Sequence, residues 1–187
     1  MSERRKMEVD SLIEHIADIE SRTFADAWSE ESIIDSMEQD YNILFVAYYC
    51  DGDIRIITIT GGPDYDRDNE THVSMDKENY IDNEDYVFSG YLMANVIIDE
   101  SELLRVAVSA EMQRKGIGRK LVETYFDYVR YSCKRSLLEV RQSNIRARRL
   151  YEMCGYKDIS RREDYYNAPV EDAIIYECKF DNQSLNY

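Results

Sequence analysis

The stretch from Leu103 to Arg119 constrains the fold of this chain more than any other. Leu103-Leu104-Arg105-Val106-Ala107-Val108 is a run of strand formers carrying one charge. It leads through Gln113-Arg114-Lys115 into Gly116-Ile117-Gly118-Arg119. From Gly116 to Tyr131 the apolar residues Ile117, Leu121, Val122, Phe126 and Val129 fall on one stripe at helical spacing. A buried strand therefore runs through a glycine-bearing turn into an amphipathic helix. The first N–H groups of a helix lack intrahelical partners, and the dipole reinforces them, so such a joint offers an anion site. Gly116 and Gly118 let the backbone approach a phosphate closely, and Arg114, Lys115 and Arg119 add positive charge. The spacing is neither a Walker loop, since no Gly-Lys-Ser/Thr follows, nor a G-x-G-x-x-G dinucleotide fingerprint. From these residues alone, a tight turn before a surface helix serves equally well.

The flanking segments supply the other layers. Val9, Leu12, Ile13, Ile16 and Ile19 predict an amphipathic helix near 9–22. Ser29 is a good N-cap for a second helix, with Glu30 and Glu31 in its first turn and Ile33, Ile34 and Met37 as its apolar face. Asn42 to Cys50, Phe88 to Ile98, Glu102 to Val108, Ser136 to Arg141, Tyr156 to Ile159 and Ala173 to Cys178 read as strands, and Asn144 to Met153 as a helix. On that helix Ile145, Leu150 and Met153 are expected to pack inward. Strands outnumber helices and alternate with them, which predicts a mixed α/β sheet in a single domain, 1–187. Asp51 to Tyr86 stands apart. It holds eleven acids against Arg55, Arg67 and Lys77, a net charge of −8 within a chain total of −15. Ile54 to Thr60 is compatible with a further strand before Gly61-Gly62-Pro63 breaks it. The rest reads as a long acidic, partly mobile excursion.

A net charge of −15 disfavours nucleic acid, whose phosphates need a basic face. It is compatible with a cationic partner, and equally with plain solubility. No apolar run approaches a membrane span, and Met1 to Lys6 leads into Glu8, Val9 and Asp10 rather than an apolar signal region. Cys50, Cys133, Cys154 and Cys178 are scattered thiols without a C-x-x-C pair, which fits a reducing cytoplasm. His15 and His72 have no companions at metal-ligand spacing, so no metal is expected.

Three further residues carry possible chemistry. Glu139 interrupts the apolar strand Leu138-Glu139-Val140-Arg141, where a carboxylate is costly unless it is paired or used. A structural ion pair with Arg141 or Arg105 explains it as well as catalysis does. Asn144 and Tyr151, seven residues apart, share a helical face with Arg148. Asn144 also reads as an N-cap, and Tyr151 as a half-buried aromatic with a polar tip.

Taken in order, Leu104 to Val108, Q-R-K-G-I-G-R, L-E-V-R, S-N and L-Y-E-M-C-G-Y resemble the core of the GNAT acetyltransferase superfamily. The resemblance is greatest to ribosomal-protein alanine N-acetyltransferases, which acetylate a protein N-terminus. Ala27-Trp28-Ser29 is similar to their P-W-S, and Arg161 to Tyr166 followed by Glu171 to Ile175 to their R-x-x-Y-Y…E-D-A-[IL] ending. The likeness covers about 8–50 and 87–180 and implies a GNAT acyl-CoA N-acyltransferase fold, a central mostly antiparallel sheet flanked by helices. Members usually join the second and third strands tightly, so 51–86 looks like an insertion. Ala27 replaces the usual proline, and the Tyr165–Glu171 loop is short.

The resemblance implies acetyl-CoA as cosubstrate, held at Val106, Ala107 and Val108, at Arg114, Lys115, Gly116, Ile117, Gly118 and Arg119 around the pyrophosphate, and at Asn144 along the pantetheine. It implies Glu139 as general base, directly or through water, and Tyr151 as general acid, with Trp28, Tyr165 and Tyr166 lining the acceptor groove. The acceptor is expected to be a protein N-terminus such as that of a ribosomal protein. An α-amino group of pKa about 8 is neutral roughly one time in ten at pH 7, against about one in two thousand for lysine. A small cationic amine, a lysine side chain, or a non-catalytic CoA-binding module are the alternatives. Monomer and dimer are both compatible with the sequence.

Overall fold

The computed structural model describes residues 3–61 and 86–180, with side chains from residue 11 onward. The chain forms α1 (Glu3–Thr23), α2 (Glu30–Met37), β1 (Asn42–Cys50), β2 (Asp53–Thr60), β3 (Val87–Ile97), β4 (Glu100–Val108), a single 3-10 turn (Ala110–Met112), α3 (Ile117–Val129), β5 (Arg135–Arg141), α4 (Ile145–Met153), β6 (Lys157–Asn167) and β7 (Val170–Lys179). The seven strands make one sheet in the order β2-β1-β3-β4-β5-β7-β6. Only the β4–β5 contact is parallel. The mixed, mostly antiparallel sheet expected from the sequence is what the chain adopts.

Period-two alternation divides the core between two faces. Ile43, Phe45, Ala47, Leu92, Ala94, Leu138 and Val140 pack with α3 through Leu121, Val122, Tyr125, Phe126 and Val129. Leu44, Val46, Tyr91 and Met93 face the other way, onto Ile13, Ile16 and Ile19 of α1 and Ile33 and Met37 of α2. Ser29 caps α2 as its position predicts, its Oγ accepting from Ser32 N–H at 3.2 Å.

β4 and β5 are in parallel register only from Glu100↔Arg135 to Leu103↔Leu138. That paired end is stapled from above by Tyr125 of α3. Its hydroxyl donates to Ser101 Oγ at 2.7 Å and lies 2.7 Å from Ser136 Oγ, which is 2.6 Å from the Tyr156 hydroxyl. Beyond Leu103 the strands part, although β4 runs on to Val108 and β5 to Arg141. A bulge explains where. Ala94 faces Leu103 while Met93 faces Arg105, so Leu104 is an extra residue on β4. Bulges bend the strand that carries them and increase its twist. The bend falls at the last shared pair, and β4 turns away from β5.

Two expectations change, and one reading is extended. Ile54 to Thr60 does continue the sheet. Asp53–Thr60 is a full edge strand, paired with β1 from Cys50↔Asp53 to Ile43↔Thr60 through the Asp51-Gly52 turn. The remaining acidic stretch 62–85, with His72, lies outside the described residues. β6 is much longer than Tyr156–Ile159 and includes Tyr165 and Tyr166, so the expected Tyr165–Glu171 loop is a hairpin turning at Ala168-Pro169. On α4, Ile145 and Met153 are exposed rather than inward, and the buried residue is Tyr151.

Candidate active site

The parting of β4 from β5 creates a cleft. Among the described residues nothing pairs with β4 at 104–108 on its β5 side. The β4 ladder is open on that side apart from Val108 O, which accepts from Gln113, and open ladder positions of this kind are what a ligand can satisfy. Val106, Ala107 and Val108 thus form one lip. Val106 and Val108 pack their side chains on the α3 face of the core, and Ala107 on the α1–α2 face.

The floor of the same end is the start of α3. Gly116, with φ of 84°, is the N-cap and makes no side-chain cap bond, and Arg114 shares the left-handed backbone at φ 65°. The first turn's N–H groups therefore stay available. Ile117 is buried, and Gly118 packs beneath Leu150 and Val108, which ties the turn to both α4 and β4. Arg119 is held by Glu123 at 2.7 Å, and Lys115 lies over the Tyr49 ring at 4.3 Å. Gln113 donates to Val108 O at 3.2 Å and accepts from Arg146 at 2.5 Å. A left-handed glycine, free helix-start amides and nearby cations fit a pyrophosphate. Asn144 caps α4, its Oδ1 accepting from Ala147 N–H at 3.1 Å. The capping role is thus filled, and the carboxamide nitrogen is not used by that cap.

The opposite lip is the end of β5. Glu139 is the first residue beyond the last β4–β5 pair. Its side chain is 19% exposed, and its Oε1 lies 2.7 Å from Arg162 Nη1 on β6. Neither arginine suggested by the sequence is its partner. Arg105 pairs with Asp26, and Arg141 with Glu171. Glu139 acts on the Tyr165 phenol and raises it above the ordinary value. Tyr166 lies under Arg141, 4.1 Å from ring centroid to guanidinium. Burial first, then the Glu139 charge, push its phenol up to about 12.

Tyr151 is 6% exposed, edge-on to Tyr156 at 5.8 Å. Its hydroxyl has no hydrogen bond among the described residues. The single buried polar side-chain atom left unpartnered there is Asn42 Oδ1, so the Tyr151 hydroxyl reaches accessible surface. Burial, then Tyr166 and Cys154, raise this phenol well above its usual value. Tyr166 thus acts electrostatically on Tyr151 and is itself acted on by Glu139.

The α1–α2 connection packs against β3 and β4. Glu20, fully buried, accepts from Trp28 N–H at 2.8 Å and from the Tyr91 hydroxyl, with Arg105 Nε at 4.0 Å. Arg105 stacks on Phe24 and Trp28 at 4.6 and 5.1 Å and donates to Asp26 Oδ2 at 3.1 Å. Burial opposes ionisation of Asp26, but the Arg105 hydrogen bond and the charges of Arg105 and Arg141 hold its carboxyl below the usual range. Trp28 sits on the Arg105 side, and its link to the tyrosines runs through Asp26, which acts on Tyr166. Sequence reasoning missed Asp26 and Arg162, and gave Arg105 only a pairing role. The lone charge in Leu-Leu-Arg-Val-Ala-Val was the signal for Arg105.

No helix among the described residues is long and apolar enough to cross a membrane, and no group of three or more His, Cys, Asp or Glu side chains there could hold a metal.

The sequence profile of the acetyltransferase (GNAT) family matches residues 13–156. The ribosomal protein bS18-alanine N-acetyltransferase of Salmonella typhimurium is 38% identical over 90 residues, 46% of this chain and 61% of that relative. The match thus spans about three fifths of the length of such curated relatives. The crystal structure of the ribosomal-protein-S18-alanine N-acetyltransferase from Escherichia coli superposes with a TM-score of 0.65 at 23% identity, covering 95% of this chain and 93% of that one. A NatC complex bound to Gag peptide and CoA shares the fold with a TM-score of 0.61 at 17% identity, covering 90% and 91%. Together with the splayed strands and the left-handed glycine at the start of α3, these matches show that the chain belongs to the GNAT acetyltransferase family.

Proposed function

We propose that this chain transfers the acetyl group of acetyl-CoA to a primary amine, in the first instance the α-amino group of a protein N-terminus such as that of a ribosomal protein. The observation that carries the reading is the parted end of β4 and β5, with Val106–Val108, paired to β3 but to no strand on the β5 side, on one lip and Glu139 on the other. The cosubstrate's pyrophosphate would lie on Arg114–Arg119, its pantetheine beside Asn144 and its thioester carbonyl on the β4 amides.

The chemistry follows from that arrangement. Glu139 takes a proton from the incoming ammonium, directly or through one water, and the neutral nitrogen attacks the thioester carbonyl. β4 N–H groups hold the oxyanion that forms. Collapse breaks the C–S bond, the Tyr151 hydroxyl protonates the departing thiolate, and the nitrogen gives up its second proton to restore the Tyr151 phenol, leaving a neutral amide and free CoA while Glu139 releases its proton to solvent. A phenol raised by burial stays protonated through the physiological range and so arrives as a donor. Trp28, Tyr165 and Tyr166 would bound the acceptor groove. The acidic stretch 62–85 favours a cationic acceptor by long-range attraction. The reading carries a cytoplasmic location with it, where acetyl-CoA meets newly made protein.

Acetyl-CoA consumption is to be measured against peptides beginning Ala-Arg, polyamines and free lysine, with Glu139→Gln as control. Turnover on the peptides, lost in the variant, is expected. Turnover on polyamines or lysine alone would replace the acceptor. CoA binding without turnover on any amine would leave a binding module.

A further inference from the structure

Glu139 is already engaged in the folded chain. Arg162 lies 2.7 Å from its carboxylate, and Glu139 in turn raises the Tyr165 phenol. Arg162 also sits over the Tyr165 ring at 5.4 Å. These two residues are three apart on β6, a spacing that a regular strand sends to opposite faces. β6 is not regular there. Arg162 faces Ala173 and Tyr166 faces Glu171, so Glu163, Asp164 and Tyr165 together oppose the single Asp172. Asp164 adopts φ of 50°, its N–H donates to Asp172 Oδ1 at 3.0 Å, and Asp172 also takes Arg161 at 3.4 Å. The bulge is anchored, and its result is that Arg162, on the Glu139 carboxylate, also lies over the Tyr165 ring.

The other charged groups nearby are committed elsewhere. Arg141, on Glu139's own strand, is bound to Glu171 and to the carbonyls of Ala168 and Pro169. Asp26, from the α1–α2 connection, is bound to Arg105. Among the described residues Arg162 is the one cation within 4.0 Å of Glu139. It is 54% exposed while Glu139 is 19% exposed, so the arginine is the partner with room to move.

We propose that Arg162 and Tyr165 form a latch on Glu139, in which the guanidinium occupies the place at the carboxylate that the acceptor's ammonium takes. The proposal rests on the reading of Glu139 as the base facing the acceptor. Acceptor entry is then an exchange of one cation for another. A primary ammonium opens the latch because it replaces the ion pair it breaks. An amide, a hydroxyl or a blocked N-terminus offers no such replacement. After transfer the product nitrogen is an uncharged amide, and Arg162 returns. Tyr165, whose ring lies under Arg162, gives the guanidinium a surface on which to close.

The test uses the full chain and an octapeptide beginning Ala-Arg. Arg162→Gln and Arg162→Met should each lower the acceptor KM by about three- to tenfold, the range of a part-exposed, charge-assisted pair, with the acetyl-CoA KM unchanged. Arg162→Lys should keep the wild-type value. In a Glu139→Gln background, peptide binding measured by calorimetry with CoA present should no longer respond to Arg162→Gln. An acceptor KM that rises or stays constant in both neutral variants overturns the latch. Full turnover in Glu139→Gln alone would instead sink the base assignment, so the two failures are distinguishable.

Discussion

Glu139 and Tyr151 suit opposite proton transfers because their surroundings differ. The carboxylate lies at the parted strand ends with a cation on it. The phenol is buried, lacks a hydrogen bond among the described residues, and is held protonated. Glu139→Gln and Tyr151→Phe should each cut kcat by about 10²–10⁴, the usual worth of a positioned acid or base, while calorimetric acetyl-CoA affinity stays unchanged. Equal rates in both variants would remove the assignment. Asn144 separates differently, because its capping bond is visible. Asn144→Ala should cost about 1 kcal/mol in urea unfolding. A raised acetyl-CoA KM on top of that loss would reveal a second, cofactor-facing role. Glu139 was legible as a residue needing a partner, but Arg162 was not. It lies two strands away, and only the register of β5, β7 and β6 puts it on the face of Glu139.

At the scale of elements, the start of α3 shows how local backbone serves the site. Gly116 has open space around it but a φ of 84°, whereas a Cβ on Gly118 would meet Leu150 at 3.4 Å and Val108 at 3.7 Å in ordinary contact. Gly116→Ala should therefore destabilise by about 1–2 kcal/mol through backbone strain alone. Gly118→Ala, in the first helical turn, should be neutral or slightly stabilising. Chemical denaturation of both variants checks the contrast, and equal effects would refute it. Elements with a clear period were legible: β1 alternates between two cores, α3 carries its stripe, and α2 starts at its cap. β6 was not. Lys157 to Asn167 is exposed almost throughout, so no alternation marks it, and its ladder with β7 is what makes it a strand. α4 misled for the related reason that its apolar residues Ile145 and Met153 sit at its exposed ends.

At the scale of the molecule, two connections decide how the site is held. The first is the Glu20 node, which joins α1, the Phe24–Trp28 connection, Tyr91 of β3 and Arg105 of β4. Glu20→Ala would leave a buried phenol and Arg105 short of a partner. It should cost about 3 kcal/mol in urea unfolding, whereas Glu20→Gln should cost less. A loss below about 1 kcal/mol for the alanine variant would mean that the node is not structural.

The second connection joins β2 to β3. Both flank β1 and run antiparallel to it, so they are parallel to each other. Thr60 lies opposite Ile43, near one end of β1, and Val87 opposite Tyr49, near the other. Thr60 and Val87 are therefore separated along β1 by roughly 20 Å at about 3.3 Å per residue. A two-residue join in place of 62–85 is too short by about half, whereas a Gly-Ser linker of about ten residues spans the gap near its preferred end-to-end distance. The long-linker variant should keep its melting temperature and acetyl-CoA KM, and the short join should lose β2 pairing or fail to fold. The long linker also removes nine acids and two bases from a chain of net charge −15. If that charge draws a cationic acceptor to the cleft, kcat/KM for an Ala-Arg peptide should fall and become less sensitive to salt, with kcat unchanged. An unaltered salt dependence would assign the acidic stretch to solubility and return acceptor choice to Glu139, Arg162 and the two tyrosines.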